Sequence, residues 1–204
     1  AKVLSRNRKS VVKNLEQSVK AILDELAMTS AEIKVEIEET ETLRADGKDK
    51  VQMLFKANKG GQFAPIKKVA SGGESSRLML ALKSTVAHAM DLPVMIFDEI
   101  DTGVSGEVAA KMGDILKTLA SKHQLICITH SPQVSARADN HYFVYKEETK
   151  ERTFTHVKVL DPDERIVEIA KMLSGSAVFQ AAFQAGRQYP LGFPEQGATS
   201  ATRL

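Results

Sequence analysis

The sequence predicts an α/β fold with a parallel sheet at its core. Two short apolar runs, "VMIF" at 94–97 and "LICI" at 125–128, are typical of buried strands that helices cover on both faces. A helical pattern from Ser105 to about Ala120 separates them. Strand, helix and strand in this order imply a right-handed crossover between parallel strands, with helices packed on the sheet.

The N-terminal stretch, residues 1–28, predicts an amphipathic helix. Its apolar residues recur at three- and four-residue intervals with charged residues between them, at Val12, Leu15, Val19, Ile22, Leu23 and Leu26. The pattern by itself favours one surface helix packed on a domain. The alternative is the returning end of a longer helix or coiled coil.

A β-hairpin and a second helix follow. "AEIKVEIEET" and "VQMLFKAN" alternate apolar and polar residues around "RADGKDK", which predicts two antiparallel strands. The glycine-containing loop "GGQFAPIKKVASGG" then leads into a helix from about Glu74 to Met90.

The C-terminal part predicts antiparallel edge strands and a closing helix. After Pro132 a short helix precedes the alternating strands "NHYFVYKEE" and "RTFTHVKVL", and "DERIVEIAKML" has helical spacing. Residues 174–204 are rich in Gly, Pro, Ser and Thr and predict a flexible end, or a remnant that is not native to the protein. The main lobe is therefore predicted to span residues 29–173.

Composition places the chain among folded globular proteins but decides little about partners. With 204 residues, 43% of them hydrophobic, it is long enough for one sizeable core or two small ones. A net charge of +2 is too small to indicate a nucleic-acid surface. Cys127 lies in the apolar run "LICIT", which predicts a buried reduced thiol. No apolar run is long enough for a membrane span, so we expect a cytoplasmic protein with no membrane partner.

Two acids end the first apolar strand. In "VMIFDEID", Asp98 and Glu99 follow the buried run, at the carboxyl edge where parallel sheets bind ligands. In nucleotide hydrolases an acid at this position holds magnesium, and a neighbouring carboxylate orients or deprotonates the attacking water. Asp98 suits the first role and Glu99 the second. Alternatively, both acids only begin a turn and cap the next helix.

The stretch "VASGGESS" exposes bare backbone at the start of a helix. Gly72 and Gly73 let a ligand approach the main chain, and Ser71 adds a hydroxyl donor. The free amides and the dipole of the helix favour an anion such as phosphate. Taken alone, the stretch is better explained by a serine N-cap and a glycine turn.

A histidine ends the second apolar strand. His130 leaves the strand beside the acid-bearing one, where its ring can donate to a phosphate oxygen or to a carboxylate. It is equally compatible with a strand-end histidine of purely local role. The other four histidines, at 88, 123, 141 and 156, lack metal-ligand spacing and receive no role.

In this order, "VASGGESSRLMLALK", "IFDEIDTGVSGEVA" and "ICITHSPQVSARAD" resemble the second half of an ATP-binding-cassette (ABC) ATPase. More closely, they resemble the head domain of the RecN family, relatives of the SMC proteins. The resemblance runs from the N-terminal helix to about Leu173. It implies the C-terminal portion of a P-loop NTPase-like ABC head that hydrolyses ATP with Mg²⁺ in DNA double-strand break repair and recombination, associated with the nucleoid.

The resemblance also implies a role for each candidate residue. The signature motif, which in this family reaches across a dimer interface to the γ-phosphate of the partner's ATP, is matched by Ser71, Gly72, Gly73 and Glu74. Asp98 matches the Walker B aspartate that supports Mg²⁺, directly or through water, and Glu99 the catalytic glutamate that polarises water. Asp101 matches the D-loop contact between subunits, and His130 the catalytic switch histidine that senses the γ-phosphate. The N-terminal helix would be the returning strand of an antiparallel coiled coil.

The phosphate-binding Walker A motif does not occur in this sequence. The motif reads G-x-x-x-x-G-K-[ST], whereas Gly47-Lys48 is followed by Asp49 and has Thr42 at the first glycine position. In the family it lies, with the Q-loop glutamine, in an N-terminal segment beyond the coiled coil. The implied partners are that segment, a second head in an ATP-dependent homodimer, and DNA. We expect weak or no ATPase activity from this chain alone.

Two other functions compete with the ATPase head. The first is a non-catalytic dimerisation or scaffold module of the same fold, which has no chemical need for Glu99 next to a magnesium-binding aspartate. The second is an ABC subunit of a transporter. The resemblance argues against a transporter subunit, because "EIDTGVSG" and the leading helix differ from such subunits.

Overall fold

The computed structural model describes residues 1–69, 71–90, 92–104, 106–149, 151–174 and 199–203, with backbone only for His88 and for 199–203. The chain divides into two compact units, Ala1–Asp91 and Leu92–Leu204. Each unit has its own sheet, of three strands in the first unit and of five strands in the second.

A long helix and an antiparallel hairpin form most of the first unit. Helix α1 spans Lys2–Glu25, and strands β1 (Glu32–Arg44) and β2 (Gly47–Lys56) pair antiparallel. The predicted helix and hairpin are thus confirmed. The strands extend beyond the alternating pattern to a tight turn, where the backbone of Gly47 takes a φ of 103° that favours glycine.

A buried carboxylate holds the start of α1 against the hairpin. Asp49 accepts hydrogen bonds from Ser5 Oγ at 2.5 Å and from Arg8 Nη1 at 2.9 Å. These bonds, first that from Ser5 and then that from Arg8, lower the pKa of the Asp49 carboxyl. Arg8 Nη2 also donates to the main-chain oxygen of Asp46 in the turn, so helix and hairpin are joined by a network of polar contacts.

A second helix completes the core of the first unit. After a short strand β3 (Ala64–Pro65) and a 3-10 turn (Ile66–Lys68), helix α2 spans Gly72–Ala89. Arg77 Nη1 donates to the main-chain oxygen of Leu26 at 3.2 Å, which ties α2 to the end of α1. The shared apolar core contains Val19, Leu23, Met28, Ala31, Ile33, Phe55, Leu78 and Ala81.

The predicted strand–helix–strand crossover begins the second unit. Strands β4 (Val94–Asp98) and β5 (Gln124–Thr129) pair in parallel, and helix α3 (Gly106–Ala120) lies between them in the chain. The prediction that both faces of the strands are covered was wrong for β4. Its inward residues are buried, but Val94 is 45% and Ile96 57% exposed, because the described residues bury only one face.

Four further elements of the second unit follow β5 in the chain. Helix α4 (Pro132–Ser135) leads to the antiparallel pair β6 (Asn140–Glu148) and β7 (Thr153–Val159), with β7 at the sheet edge as predicted. Helix α5 spans Pro162–Ser174. None of the helices among the described residues has the length and apolar character needed to span a membrane.

Strand β8 (Thr199–Arg203) was not predicted. It lies between β5 and β6 and pairs antiparallel with both. Its residues Thr-Ser-Ala-Thr-Arg have no apolar alternation, which is the signal that predicted the other strands. The rest of the segment expected to be flexible, 175–198 and 204, lies outside the described residues.

His141 is a buried ionisable group on β6. Its side chain is 1% exposed, and neither ring nitrogen has a hydrogen-bond partner among the described residues. Burial, with a smaller contribution from the positive charge of Arg165, lowers its pKa to about 4. As the pH falls, the unfolded chain therefore binds this proton before the folded chain does.

We predict that His141 makes the fold less stable in acid. Between the unfolded pKa near 6.5 and the folded pKa of about 4, the free energy of unfolding should fall by roughly 3 kcal/mol on this account. In His141→Phe that part of the loss disappears, as urea denaturation at pH 7 and pH 4 would measure. His156→Phe on β7 is the control. Equal losses in wild type and His141→Phe would contradict this prediction.

Candidate functional site

The candidate site begins where β4 ends. Asp98 is the last residue of β4, and both its side chain and that of Glu99 are exposed. Glu99 has a φ of 47°, in the left-handed region that residues other than glycine rarely adopt. Its main-chain N–H donates to the oxygen of Ile128 on β5 at 2.9 Å. The neighbouring strand thus holds Glu99 in a strained conformation, a feature common at functional sites.

The turn after Glu99 contacts the end of β5. Thr129 Oγ1 donates a hydrogen bond of 2.6 Å to Asp101 Oδ2, and both side chains are buried. His130 Nδ1 lies 3.8 Å from the same oxygen, although 65% of the His130 side chain is exposed. The structure therefore brings Asp98, Glu99, Asp101 and His130 to one edge of the sheet.

Cys127 lies beneath this edge on β5. Its side chain is fully buried and unpaired with other cysteines, which confirms the predicted buried thiol. Burial raises its pKa to about 12, and the negative charges of Asp101 and Asp98 add to the rise. The thiol therefore stays protonated at neutral pH, which makes it a poor nucleophile and metal ligand.

A polar cavity of about 290 Å³ adjoins the edge. Its lining includes Asp101, Gly106 at the start of α3, His130 and Gln133, together with Met172 of α5. The cavity lies between the turn after Glu99 and the end of β5, so both segments are accessible to a ligand or a partner surface.

The serine-glycine-glycine stretch belongs to the first unit. Ser71 occupies the N-cap position of α2, yet its side chain makes no capping hydrogen bond. Ser71 and Gly72 are exposed, Gly73 is buried, and Glu74 is half-buried near Asn58. A Cβ added to Gly72 would meet no atom within 4 Å, and its φ is not positive. Neither packing nor backbone conformation within the described residues requires a glycine here.

The acids offer limited metal coordination. Among the residues that the structure describes, no group of three or more His, Cys, Asp or Glu side chains could hold a metal ion. Mg²⁺ is commonly bound through one or two carboxylates together with substrate phosphates and water. The exposed carboxylate of Asp98 fits a Mg²⁺ ion that arrives with a nucleotide.

Solved structures define the class of fold. The chain superposes on the Smc head domain with a coiled coil and joint from Pyrococcus yayanosii with a TM-score of 0.60 and 17% identity, over 80% of this chain and 30% of that one. A chain from work on ATP-driven dimerization and DNA-stimulated activation of SMC ATPases gives 0.56 and 16% identity, over 83% and 97%. The fold is that of part of an SMC-type head.

Sequence relatives then identify the family, although no protein-family model matches the chain. DNA repair protein RecN of Rickettsia conorii is 44% identical over 185 residues, 91% of this chain and 34% of the relative. RecN of Vibrio cholerae is 37% identical over 179 residues, covering 87% and 32%. The chain belongs to the RecN family and corresponds to a C-terminal part that spans about one third of its relatives' length.

Thr129 is a site residue that the sequence prediction misses. His130 stands out because it ends the strand, whereas Thr129 directly continues the apolar run. The signal was available in the alternation of β5, which turns Thr129 to the same buried face as Leu125 and Cys127. A buried hydroxyl needs a hydrogen-bond partner, and the acids after β4 were the nearest candidates.

We predict that Gly72→Ala leaves the free energy of unfolding unchanged or raises it by up to about 1 kcal/mol, because alanine favours helix and meets no atom there. The matched control is Gly113→Ala in α3, where the new Cβ would lie 2.9 Å from Arg137 Cγ and 3.2 Å from the main-chain oxygen of Gln133. That variant should lose about 1–3 kcal/mol. Urea denaturation measures both, and marked destabilisation by Gly72→Ala would show that the fold itself needs this glycine.

Proposed function

We propose that this chain is the C-terminal half of a split SMC-like ATPase head. It binds and hydrolyses ATP at a head–head dimer interface, in DNA double-strand break repair and recombination. The observation that carries the proposal is Glu99, held in a left-handed conformation directly after Asp98 at the carboxyl edge of parallel strands. Strain of this kind is common at functional sites, and the Glu99 carboxylate is exposed here.

Each residue at the sheet edge has a chemical task in this proposal. Asp98 supports Mg²⁺ directly or through water, and Glu99 polarises the water that attacks the γ-phosphate. His130 contacts the γ-phosphate and acts as the switch. Its exposed ring, next to the cavity beside Asp101, supports this role.

The signature stretch serves the nucleotide of the partner head. Ser71 has a hydroxyl that is not used for capping, and Gly72 leaves open space at the start of α2. Gly73 and Glu74 complete the motif. A phosphate approaching this helix start would meet free amides and the positive end of the dipole. The D-loop contact between heads would come from the turn at Asp101, whose neighbours Thr102 and Gly103 are exposed.

The proposed partners of this chain are an N-terminal segment of the same protein and DNA. About two thirds of the relatives' length lies outside this chain, which itself has no Walker A motif. We propose that an N-terminal segment of the same protein supplies that motif and the Q-loop glutamine. Exposed Val94 on β4 supports an additional covering segment. In the whole protein, α1 would end a coiled coil, and DNA would be the partner of a nucleoid-associated complex in the cytoplasm.

We expect no more than weak ATP hydrolysis from this chain alone, and clear hydrolysis when it is combined with the N-terminal segment of its own gene. Glu99→Gln should lower kcat by about 10²–10⁴-fold, because the amide cannot accept a proton from water. Steady-state phosphate release measures both effects. Glu107→Gln, an exposed acid in the first turn of α3, is the control and should leave kcat unchanged. A combined protein that binds ATP but never hydrolyses it would instead support the scaffold function.

A further inference from the structure

We propose that Asp101 and Thr129 form a latch inside the chain that sets the position of His130. The latch is the hydrogen bond between the Thr129 hydroxyl and the Asp101 carboxylate. Asp101 is then a positioning residue, in addition to any contact that its turn makes with a second head. The inference deepens the proposed function and rests on it, because His130 is assigned there as the switch.

The latch joins two segments that are distant in sequence. It connects the turn after Glu99 to the end of β5, 28 residues further along the chain, at a donor–acceptor distance of 2.6 Å. The Asp101 side chain is 1% exposed and Thr129 is fully buried. A hydroxyl that donates to an ionised carboxylate away from water makes a strong hydrogen bond. This bond therefore couples the two segments.

The Thr129 hydroxyl also contacts the main chain on the other side of His130. While its hydrogen points to Asp101, Oγ1 accepts a hydrogen bond of 2.9 Å from the main-chain N–H of Ser131. Ser131 in turn caps helix α4 by accepting from the N–H of Val134 at 3.4 Å. The backbone on both sides of His130 is thus held by a single side chain, while the imidazole ring stays exposed.

The carboxylate can also act on the ring itself. His130 Nδ1 lies 3.8 Å from Asp101 Oδ2, close but beyond a normal hydrogen bond. The other oxygen, Oδ1, is buried without a hydrogen-bond partner among the described residues. A small rotation of the ring would bring Nδ1 to this under-satisfied carboxylate and leave Nε2 for the phosphate. A shift in the turn that carries Asp101 would therefore change the position of the His130 ring.

The test uses the whole protein, with the N-terminal segment and this chain together. Thr129→Val keeps the shape of the side chain and removes the latch, so kcat for ATP should fall by about 10- to 100-fold with little change in KM. Thr129→Ser restores the hydroxyl and should restore kcat. Asp101→Asn keeps an acceptor for Thr129 but removes the charge beside His130, so it tests the carboxylate should Thr129→Val fold poorly. The control is Thr118→Val, since the Thr118 hydroxyl donates to the main-chain oxygen of Asp114 within α3.

Two further measurements separate the latch from a general loss of structure. In a His130→Ala background, Thr129→Val should cause no additional loss of kcat, because the latch acts through that ring. In this chain without nucleotide, hydrogen exchange at the Ser131 amide should accelerate in Thr129→Val, since the amide loses its acceptor. Unchanged exchange would overturn the latch.

The outcomes also distinguish the latch from the proposed function. Faster exchange with unchanged kcat, in a protein that Glu99→Gln inactivates, would overturn the positioning role of the latch and leave the ATPase head intact. Turnover that survives Glu99→Gln would overturn the proposed function, and the catalytic role of the latch with it. Additive losses from Thr129→Val and His130→Ala would overturn positioning through His130.

Discussion

The parallel pairing of β4 with β5 is the contact on which the chemistry of the chain depends. Because parallel strands end at the same edge, Asp98 and His130 lie there although 31 residues separate them in sequence. Helix α3 connects the two strands and packs on β5. A bond from the Glu99 amide to Ile128 and one from Thr129 to Asp101 then attach the turn after β4 to β5. The pairing of β4 with β5 therefore supports both the strained backbone of Glu99 and the buried carboxylate of Asp101.

The chain's two units carry complementary halves of the proposed chemistry. The second unit has the acids Asp98 and Glu99 and the histidine His130, and its sequence contains no Walker A motif. The first unit has a helix start whose Gly72 is unexplained by its own surroundings. In the proposed function, the nucleotide-binding surface comes from the N-terminal segment and the partner surface comes from a second head. The polar network around Asp49, by contrast, serves structure, because it is buried between α1 and the hairpin.

Most of the fold could be predicted from periodicity, because α1, the hairpin and the β4–α3–β5 crossover bury regular apolar patterns. Strand β8 could not be predicted, because its small polar residues have no apolar alternation. The apolar run "VMIF" likewise does not reveal that one face of β4 is exposed. At the site, residue types and order pointed to Asp98, Glu99 and His130. The left-handed backbone of Glu99 and the bond between Thr129 and Asp101 depend on tertiary contacts that spacing alone does not encode.

If the signature stretch of one head serves the catalytic edge of another, mixing two inactive whole-protein variants should restore activity. One variant carries Gly72→Ala and the other Glu99→Gln. In a mixed dimer, one composite site then receives both substitutions and the other receives neither. We expect ATP hydrolysis to recover on mixing, to at most about a quarter of wild type if heads pair at random. No recovery in a mixture that demonstrably forms mixed dimers would contradict it, because each head would then depend on its own signature.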